Sequence, residues 1–336
     1  MAKYLVTADL HLKDWNDKDY TDEGVPLRLV EIIQTFESMC EYAIKNEIDT
    51  IVIAGDTNDT KSIVHVTAFT MFRKILEKYS NLNFIFMHGN HDAASGGDGD
   101  YESAIELLLG PANVKVLLKP EQRDNIMFVP WSRRMVDYIG ESDECDILIT
   151  HMGLSDATLS NGASIKTRLQ SSDLTRFKLV ISGHYHKPQQ VNHVWYVGSP
   201  IQLRRDEFNE DKRFLIIDSE TLEVEPVSTT GYRRYYQFVI DENSDQEEIT
   251  KQAIEFKEQG HNVVVRSKIE NAPEILKEDS GIILIDEYEE EENVRGITTG
   301  MTLQEQMTKY MDIMRVPEND QENYLAVAAN VLNQEE

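Results

Sequence analysis

Five short motifs in the first 186 residues place metal-ligand side chains directly after apolar runs. Ligands that follow the strands of a sheet converge at its carboxyl edge, in the crevice where such folds bind substrates. Imidazole nitrogens mixed with carboxylate and amide oxygens suit Mn²⁺, Fe²⁺ or Zn²⁺ better than Mg²⁺ or Ca²⁺. We therefore expect one metal site in a catalytic crevice. The motifs are D-x-H at Asp9 and His11, G-D-x-x-D at Gly55 to Asp59, G-N-H-D at Gly89 to Asp92, a single His151, and G-H-x-H at Gly183 to His186.

Taken singly, most of these motifs also have a structural explanation. D-x-H and "GDTND" both suit solvated turns, because Gly, Asp and Asn favour loops. His151 could cap a strand. "GHYH" is the most specific fragment, because its glycine permits close backbone approach and its two imidazoles project from the same side. All five motifs in this order at strand ends predict a functional site.

Short β-branched runs alternate with segments of helical periodicity in this part of the chain, which is typical of βα units around a buried sheet. Pro26 suits the first turn of a helix. The apolar helix faces are Leu29, Ile32, Ile33, Phe36 and Cys40 after Pro26, and Phe69, Phe72 and Leu76 further on. The expected strands are "YLVTA", "TIVIAG", "NFIFMH", "DILITH" and "KLVISGH", then "HVWYVGSPIQL" and a hairpin in "RFLIIDSETLEV" that turns through Asp218 to Thr221.

The pattern changes after residue 206, where we place the end of a first domain, residues 1–206. A strand "YYQFVI", a helix from about Asp245 to Gly260, and strands "NVVVRS" and "GIILID" predict a compact α+β domain over residues 207–286. Residues 287–300 include "EYEEEEN" and are predicted to be a solvated linker. Residues 301–336 predict two helices separated by Pro317, with apolar faces formed by Leu303, Met307, Tyr310, Met311 and Met314 and by Leu325, Ala328, Val331 and Leu332.

Composition narrows the possible classes of protein. The formal net charge of −27, from 33 Lys and Arg against 60 Asp and Glu, argues against a protein that coats nucleic acid or membrane surfaces. Cys40 and Cys145 are too few for a disulfide framework, so we expect buried thiols in a reducing compartment. No apolar run approaches the roughly 18 residues of a membrane span. Asp9 interrupts the start of the chain before a signal peptide could form, so we expect a cytoplasmic protein.

Together the five motifs resemble the signature of the calcineurin-like metallophosphoesterases. The resemblance implies an α/β fold, a β-sandwich flanked by helices, that binds two divalent metals. It also implies that His91 acts on the substrate without binding metal, that Asp92 orients His91, and that Asp59 lies behind the ligands. Such a metal pair activates a bridging hydroxide for in-line attack on phosphorus, while a histidine stabilises the departing oxygen. One metal would be bound by Asp9, His11, Asp56 and His186, and the other by Asp56, Asn90, His151 and His184.

The order of the domains further resembles the SbcD family of DNA-repair nucleases, and most of all its compact phage recombination endonuclease subunits. "WYVGSPIQLRRDEFNEDKRFLIIDSET" is similar to the segment that joins the two domains in that family. The resemblance implies exonuclease and endonuclease activity on DNA with two Mn²⁺ ions, and a small capping domain. It also implies a homodimer, and an SbcC-type ATPase partner that docks on the C-terminal helices. We expect Arg204 and Arg205, which follow "GSP", to contact the phosphate backbone of DNA.

Two other interpretations stay open, because enzymes with different substrates share this metal site. The first is a stand-alone phosphodiesterase or phosphatase. Within that group, His88 in "HGNHD" counts against a protein phosphatase, because protein phosphatases carry arginine at this position. The second is a non-catalytic assembly subunit, which is disfavoured because no ligand position is missing. The acidic balance is unusual for an enzyme that binds DNA, and weak DNA affinity supplemented by a partner would reconcile the two.

Overall fold

The computed structural model describes residues 3–15, 19–94, 102–141, 144–269, 273, 276, 281–287, 303–314, 316–317, 321 and 324. The chain divides into two compact units. One comprises Met1–Gln237 with Glu258–Asn262, and the other Phe238–Lys257 with Val263–Glu336. Within the described ranges, no helix combines the length and the apolar character that a membrane crossing requires.

Two six-stranded sheets form the framework of the first unit within the described residues. The first sheet begins with four parallel strands, β1 (Lys3–Thr7), β2 (Thr50–Ala54), β3 (Asn83–Met87) and β4 (Val114–Leu117). The second sheet contains β5 (Glu121–Arg123), β6 (Ile126–Val129), β7 (Ile147–His151), β8 (Leu179–Gly183), β9 (Gln189–Val191) and β10 (Val194–Tyr196), in the order β5-β6-β7-β8-β10-β9. The chain then returns to the first sheet through β11 (Arg213–Asp218) and β12 (Val224–Ser228), which complete the order β12-β11-β1-β2-β3-β4.

The two sheets pack face to face as a sandwich. Between them lies a core to which Val6 and Val52 of the first sheet and Phe128 and Ile149 of the second contribute buried side chains. Helices α1 (Leu27–Lys45) and α2 (Val66–Lys78) pack with the other face of the first sheet, and α3 (Met135–Glu141) packs with the second sheet. The predicted β-sandwich flanked by helices is therefore confirmed. Burial on both faces explains why the parallel strands have nearly continuous apolar sequences.

Most of the predicted elements of this unit are present. All eight apolar residues that were expected on the faces of α1 and α2 are buried, and both cysteines are buried free thiols. The predicted hairpin is confirmed, because Asp218 Oδ1 accepts the N–H groups of Glu220 at 2.9 Å and Thr221 at 3.0 Å. The first sheet continues through β12, beyond residue 206 where the sequence placed the end of the domain, because β11 pairs antiparallel with β1. The short strands β4, β5, β6 and β9 were not predicted.

The expected α+β elements are present as β13 (Tyr235–Ile240), α4 (Gln246–Glu258), β14 (Asn262–Ser267) and β15 (Ile283–Asp286), with strand order β13-β14-β15. Asp245 caps α4, because its Oδ1 accepts the N–H of Glu248 at 3.1 Å. The first C-terminal helix is α5 (Leu303–Ile313), in which Met311 is buried and Tyr310 is exposed. Most of the predicted linker and the apolar residues of the second C-terminal helix lie outside the described residues, and the functional roles given to these segments stay predictions.

Candidate metal centre

The side chains of the five motifs stand on loops that leave neighbouring strands. The strands β1, β2 and β3 are adjacent in the first sheet, and β7 and β8 are adjacent in the second. Backbone hydrogen bonds join the first two loops, since the N–H of Asp9 donates to the carbonyl of Gly55 and that of His11 to the carbonyl of Asp56, both at 3.0 Å. Short loops on adjacent parallel strands therefore bring the predicted ligands together.

Four of the predicted ligands have left-handed backbone conformations, with φ of 54° at Asp9, 49° at His11, 53° at Asp56 and 86° at His184. This region of backbone space costs a non-glycine residue about 1–2 kcal/mol. Such residues persist where the surrounding structure over-determines them, and they cluster at functional sites. The strain is thus concentrated on side chains that the motifs assign to metal binding.

Two motif glycines permit the loops to approach one another. A Cβ on Gly89 would lie 2.2 Å from the backbone nitrogen and from Oδ1 of Asp56. A Cβ on Gly55, where φ is +92°, would lie 2.2 Å from Nδ1 of His151. Neither position has room for a side chain, so both glycines are required by the packing of a predicted ligand.

One group of ligands consists of Asp9, His11 and His186, whose donor atoms all lie within 4.8 Å of one another. The Nε2 atoms of His11 and His186 are 3.0 Å apart. Asp9 is fully buried, and both of its carboxylate oxygens accept the backbone N–H of His184 at 3.1 Å. These are three of the four ligands of the first metal site that the resemblance implied. The fourth, Asp56, belongs to the second group.

A second group consists of Asp56, His151 and His184, again within 4.8 Å of one another. The amide oxygen of Asn90 joins it, at 2.9 Å from Nδ1 of His184 and 3.1 Å from Nε2 of His151. Asp56 Oδ2 lies 3.2 Å from His151 Nε2 and 3.8 Å from His11 Nε2. A single oxygen of Asp56 therefore faces both groups, as a bridging ligand must.

The hydrogen-bond pattern tests whether these residues fit metal ions. Nδ1 of His151 faces the carbonyl of Ala54 at 2.8 Å, so this nitrogen carries a proton, and Nε2 faces the oxygens of Asp56 and Asn90. Nδ1 of His186 faces the carboxylate of Glu207 at 3.0 Å, so its Nε2 lone pair points at His11. The inward nitrogens and the oxygens of Asp56 and Asn90 are electron-pair donors that face one another closely enough to hold a cation or to share a proton. The donor set therefore fits divalent metals.

Burial and neighbouring charges shift the pKa values of several predicted ligands. Burial lowers the pKa of His11, and it lowers the pKa of His184 to about 3 with help from the charge on His151, so both rings are neutral. Burial raises the pKa of Asp9 to about 6, and the neighbouring charge of Asp56 adds to that effect. Burial also opposes a charged His151, yet the adjacent Asp56 raises its pKa. The raised pKa values show that Asp9 and His151 favour an added proton, whereas His11 and His184 stay uncharged.

His91 lies beside the two ligand groups and belongs to neither. Its Nδ1 faces the carbonyl of Asp59, its ring packs edge-on against His11 at 4.8 Å, and its backbone N–H donates to Asp56 Oδ1 at 2.8 Å. The carboxylate of Asp59 lies 3.3 Å from His11 Nδ1, behind the ligands as expected. His91 is thus fixed near the centre by its neighbours in the motifs.

The structure does not give Asp92 the orienting role that was expected of it. Its two carboxylate oxygens accept the backbone N–H groups of Asn58 and Gly89, both at 2.8 Å, because the side chain turns into the protein interior. The acceptor that faces the His91 ring is instead the carbonyl of Asp59. Asp92 therefore joins two ligand loops to each other, and burial raises its pKa to about 7.

Sequence reasoning missed Glu207, which receives the hydrogen bond from His186 Nδ1. Although burial opposes its ionisation, the hydrogen bond from His186 and the charge of Lys212 lower the pKa of Glu207 to about 2. Glu207 stands in the charged run "RRDEFNEDK", which by composition indicates a solvated surface. The run carries no periodic signal that would single out its buried member.

A cavity of about 200 Å³ opens beside the ligands. His91 and Arg204 line it, together with Leu159 and Ile165 from the loop after β7. Arg205 is exposed like Arg204, but among the described residues it does not line this cavity. Of the two predicted phosphate contacts, Arg204 therefore has the position for a substrate in the cavity.

Comparisons with known proteins agree with the geometry. A family model described as calcineurin-like phosphoesterase matches residues 2–188. The chain is 27% identical over 295 residues to Exonuclease subunit 1 of Enterobacteria phage T4, covering 79% of this chain and 85% of the phage protein. It is 25% identical over 276 residues to the DNA double-strand break repair protein Mre11 of Sulfurisphaera tokodaii, covering 73% of this chain and 68% of that protein.

Among solved structures, a novel archaeal phosphodiesterase is similar with a TM-score of 0.35 and 13% identity, over 67% of this chain and 99% of the other. A protein of Thermus thermophilus, TT1561, is similar with a TM-score of 0.40 and 11% identity, over 68% of this chain and 98% of the other.

Proposed function

Because the chain belongs to the calcineurin-like phosphoesterase family, we propose that it is a metal-dependent nuclease that hydrolyses phosphodiester bonds in DNA. The observation that carries this proposal is the convergence of seven motif side chains, in two groups that share Asp56, beside an open cavity. The names of the two relatives, an exonuclease subunit and a DNA double-strand break repair protein, support DNA as the substrate.

Two divalent ions, for which we propose Mn²⁺, would be held by residues of the five motifs. When bound, they would activate water for attack on phosphorus and screen the negative charge of the phosphate. The protein contributes a rigid set of donors, since strained backbone and close glycine contacts hold the ligand loops in place. The first ion would be held by Asp9, His11, Asp56 and His186, and the second by Asp56, Asn90, His151 and His184.

His91 would assist departure of the leaving oxygen. Because Nδ1 of its ring is held by the carbonyl of Asp59, Nε2 is the nitrogen that can pass a proton to a substrate in the cavity. A positioned acid of this kind contributes about 10²–10⁴-fold to a rate. His91 is the catalytic residue of the proposal.

Arg204 would contact the phosphate backbone at the mouth of the cavity, and we keep Arg205 as a phosphate contact outside it. His88, by contrast, is 2% exposed and its Nδ1 lies 2.8 Å from the hydroxyl of Ser103. It therefore offers the substrate no charge of the kind that arginine supplies in protein phosphatases. This arrangement favours a phosphodiester substrate over a phosphoprotein.

The remaining proposals concern partners. We propose that the C-terminal helices dock onto an SbcC-type ATPase, a role that the exposed Tyr310 and Met314 of the α5 region support. A net charge of −27 supports weak DNA binding by the isolated chain, with the partner supplying the additional affinity. We further propose that the nuclease acts as a homodimer in a recombination or repair complex in the cytoplasm.

The function can be tested by incubating end-labelled linear DNA with the purified chain and Mn²⁺ and measuring the length of the DNA over time. The wild type should shorten the DNA, and chelation of the metal should stop it. His91→Gln should slow cleavage by about 10²–10⁴-fold while Mn²⁺ affinity stays unchanged, because His91 is not a ligand. His65→Gln is the matched control, since His65 pairs with Asp14 and does not line the cavity.

A stand-alone phosphodiesterase of the same fold is the alternative that this experiment must separate. A small chromogenic phosphodiester assayed in parallel makes the distinction. If the wild type hydrolyses the small ester with Mn²⁺ but leaves DNA intact even with its ATPase partner present, DNA is not the substrate and the alternative replaces the proposal.

A further inference from the structure

A buried ion pair lies directly behind the predicted ligand His186. Glu207 and Lys212 are 1% and 0% exposed, and Nζ of Lys212 lies 2.7 Å from Oε2 of Glu207. The other oxygen of Glu207 lies 3.0 Å from His186 Nδ1, and the ammonium of Lys212 donates to the backbone carbonyl of His186 at 2.8 Å. The pair therefore holds both the ring and the backbone of one ligand.

The buried hydrogen-bonding atoms of Glu207 and Lys212 themselves all have partners. The three protons of the Lys212 ammonium match three acceptors, namely Glu207, the carbonyl of His186 and Oε2 of Glu210 at 2.7 Å. Oε2 of Glu207 also accepts the backbone N–H of Leu203 at 2.9 Å. A buried ion pair whose own hydrogen bonds are all made is held rigidly, because a shift of Glu207 or Lys212 would leave one of its polar atoms without a partner.

Stability alone gives little reason for this arrangement. A buried ion pair contributes little or nothing compared with apolar side chains of similar volume, since desolvation offsets its Coulomb attraction. A carboxylate on the outer nitrogen of a ligating histidine, however, fixes the tautomer and the direction of the ring and makes the inner nitrogen a stronger donor. The contacts of Glu207 have this form.

We propose that Glu207 and Lys212 are positioning residues that set the affinity of the first metal site through His186. The same pair also fixes the segment that carries Arg204. The backbone N–H of Leu203, just before Arg204, donates to the carboxylate of Glu207, three residues after Arg204. One buried pair thus sets the positions of a metal ligand and a phosphate contact relative to each other. This inference rests on the proposed metal centre.

The test is a calorimetric titration of the full chain with Mn²⁺, accompanied by thermal melts of each metal-free variant. Glu207→Gln should weaken one of two binding events by about 10–100-fold and leave the other within about twofold, because only one site contains His186. Glu210→Gln is the matched control. It removes a carboxylate from the same ammonium without touching the His186 ring, so both affinities should stay within about twofold of wild type.

The double variant Glu207→Gln with Lys212→Met separates the effect of the pair on the His186 ring from its effect on the stability of the fold. It removes both buried charges, so its metal-free melting temperature should recover relative to Lys212→Met alone while the first Mn²⁺ site stays weak. If the wild type binds two Mn²⁺ ions and Glu207→Gln binds both equally well, the positioning role is refuted and the metal centre stands. If the wild type binds no Mn²⁺, both the proposed function and this inference are refuted.

Discussion

Replacing Gly89 with alanine should disable metal binding without unfolding the protein. A Cβ at this position would lie 2.2 Å from two atoms of Asp56, whereas real Cβ atoms almost never approach closer than 3.0 Å, so a displacement of at least 0.8 Å is required. Metal-ligand distances tolerate only about 0.2 Å. Because Asp56 faces both ligand groups, we expect Mn²⁺ affinity to fall at least about 100-fold, or about 2.8 kcal/mol.

Calorimetric titration with Mn²⁺ measures this loss, and a melt of the metal-free protein checks the fold. Gly89 does not have a left-handed backbone, so the variant should still fold, with a packing cost of about 1–3 kcal/mol. Gly140→Ala is the matched control, because a Cβ there meets nothing within 4 Å and the residue lies in helix α3. A folded Gly89→Ala chain that binds Mn²⁺ as tightly as the wild type would refute the placement of Asp56.

Three further outcomes follow from the structure. Mn²⁺ at about 100 times the dissociation constant of each of the two sites should stabilise the folded chain by about 2.7 kcal/mol per site and raise its melting temperature by about 8 °C, as scanning calorimetry with and without chelator can measure. Arg204→Gln should raise KM for DNA and reduce the salt slope of binding by about one, whereas Arg205→Gln, outside the cavity, should change them less. Cys40 and Cys145 are buried, and burial raises the pKa of the Cys40 thiol, so a thiol reagent should label neither residue until denaturant is added.

The sequence predicted which side chains come together because strand ends and motif spacing are local signals. Asp9 and Asp56 follow apolar runs that form adjacent parallel strands of the first sheet, so their loops share one edge, and His184 follows an apolar run that forms a strand of the second sheet. The apolar faces of α1 and α2 could also be predicted, since helical periodicity indicates which residues pack against the sheet.

Other features depend on pairing and burial, which a sequence does not display locally. The return of β11 to the first sheet is a long-range pairing with β1. The change of sequence pattern near residue 206 therefore did not predict it. The direction of the Asp92 side chain depends on backbone N–H groups from two separate loops. Glu207 and Lys212 lie in a charged run, and only the folded chain distinguishes its buried members from its solvated ones.

The central claim is that two neighbouring metal ions share one ligand, Asp56. Electron paramagnetic resonance of the chain loaded with Mn²⁺ tests it directly, because the spectrum both counts bound ions and reports magnetic coupling between them. We predict two ions per chain with a coupled spectrum, and loss of the coupling in Asp56→Asn. One ion per chain, or two ions with the uncoupled spectra of isolated Mn²⁺, would contradict the account.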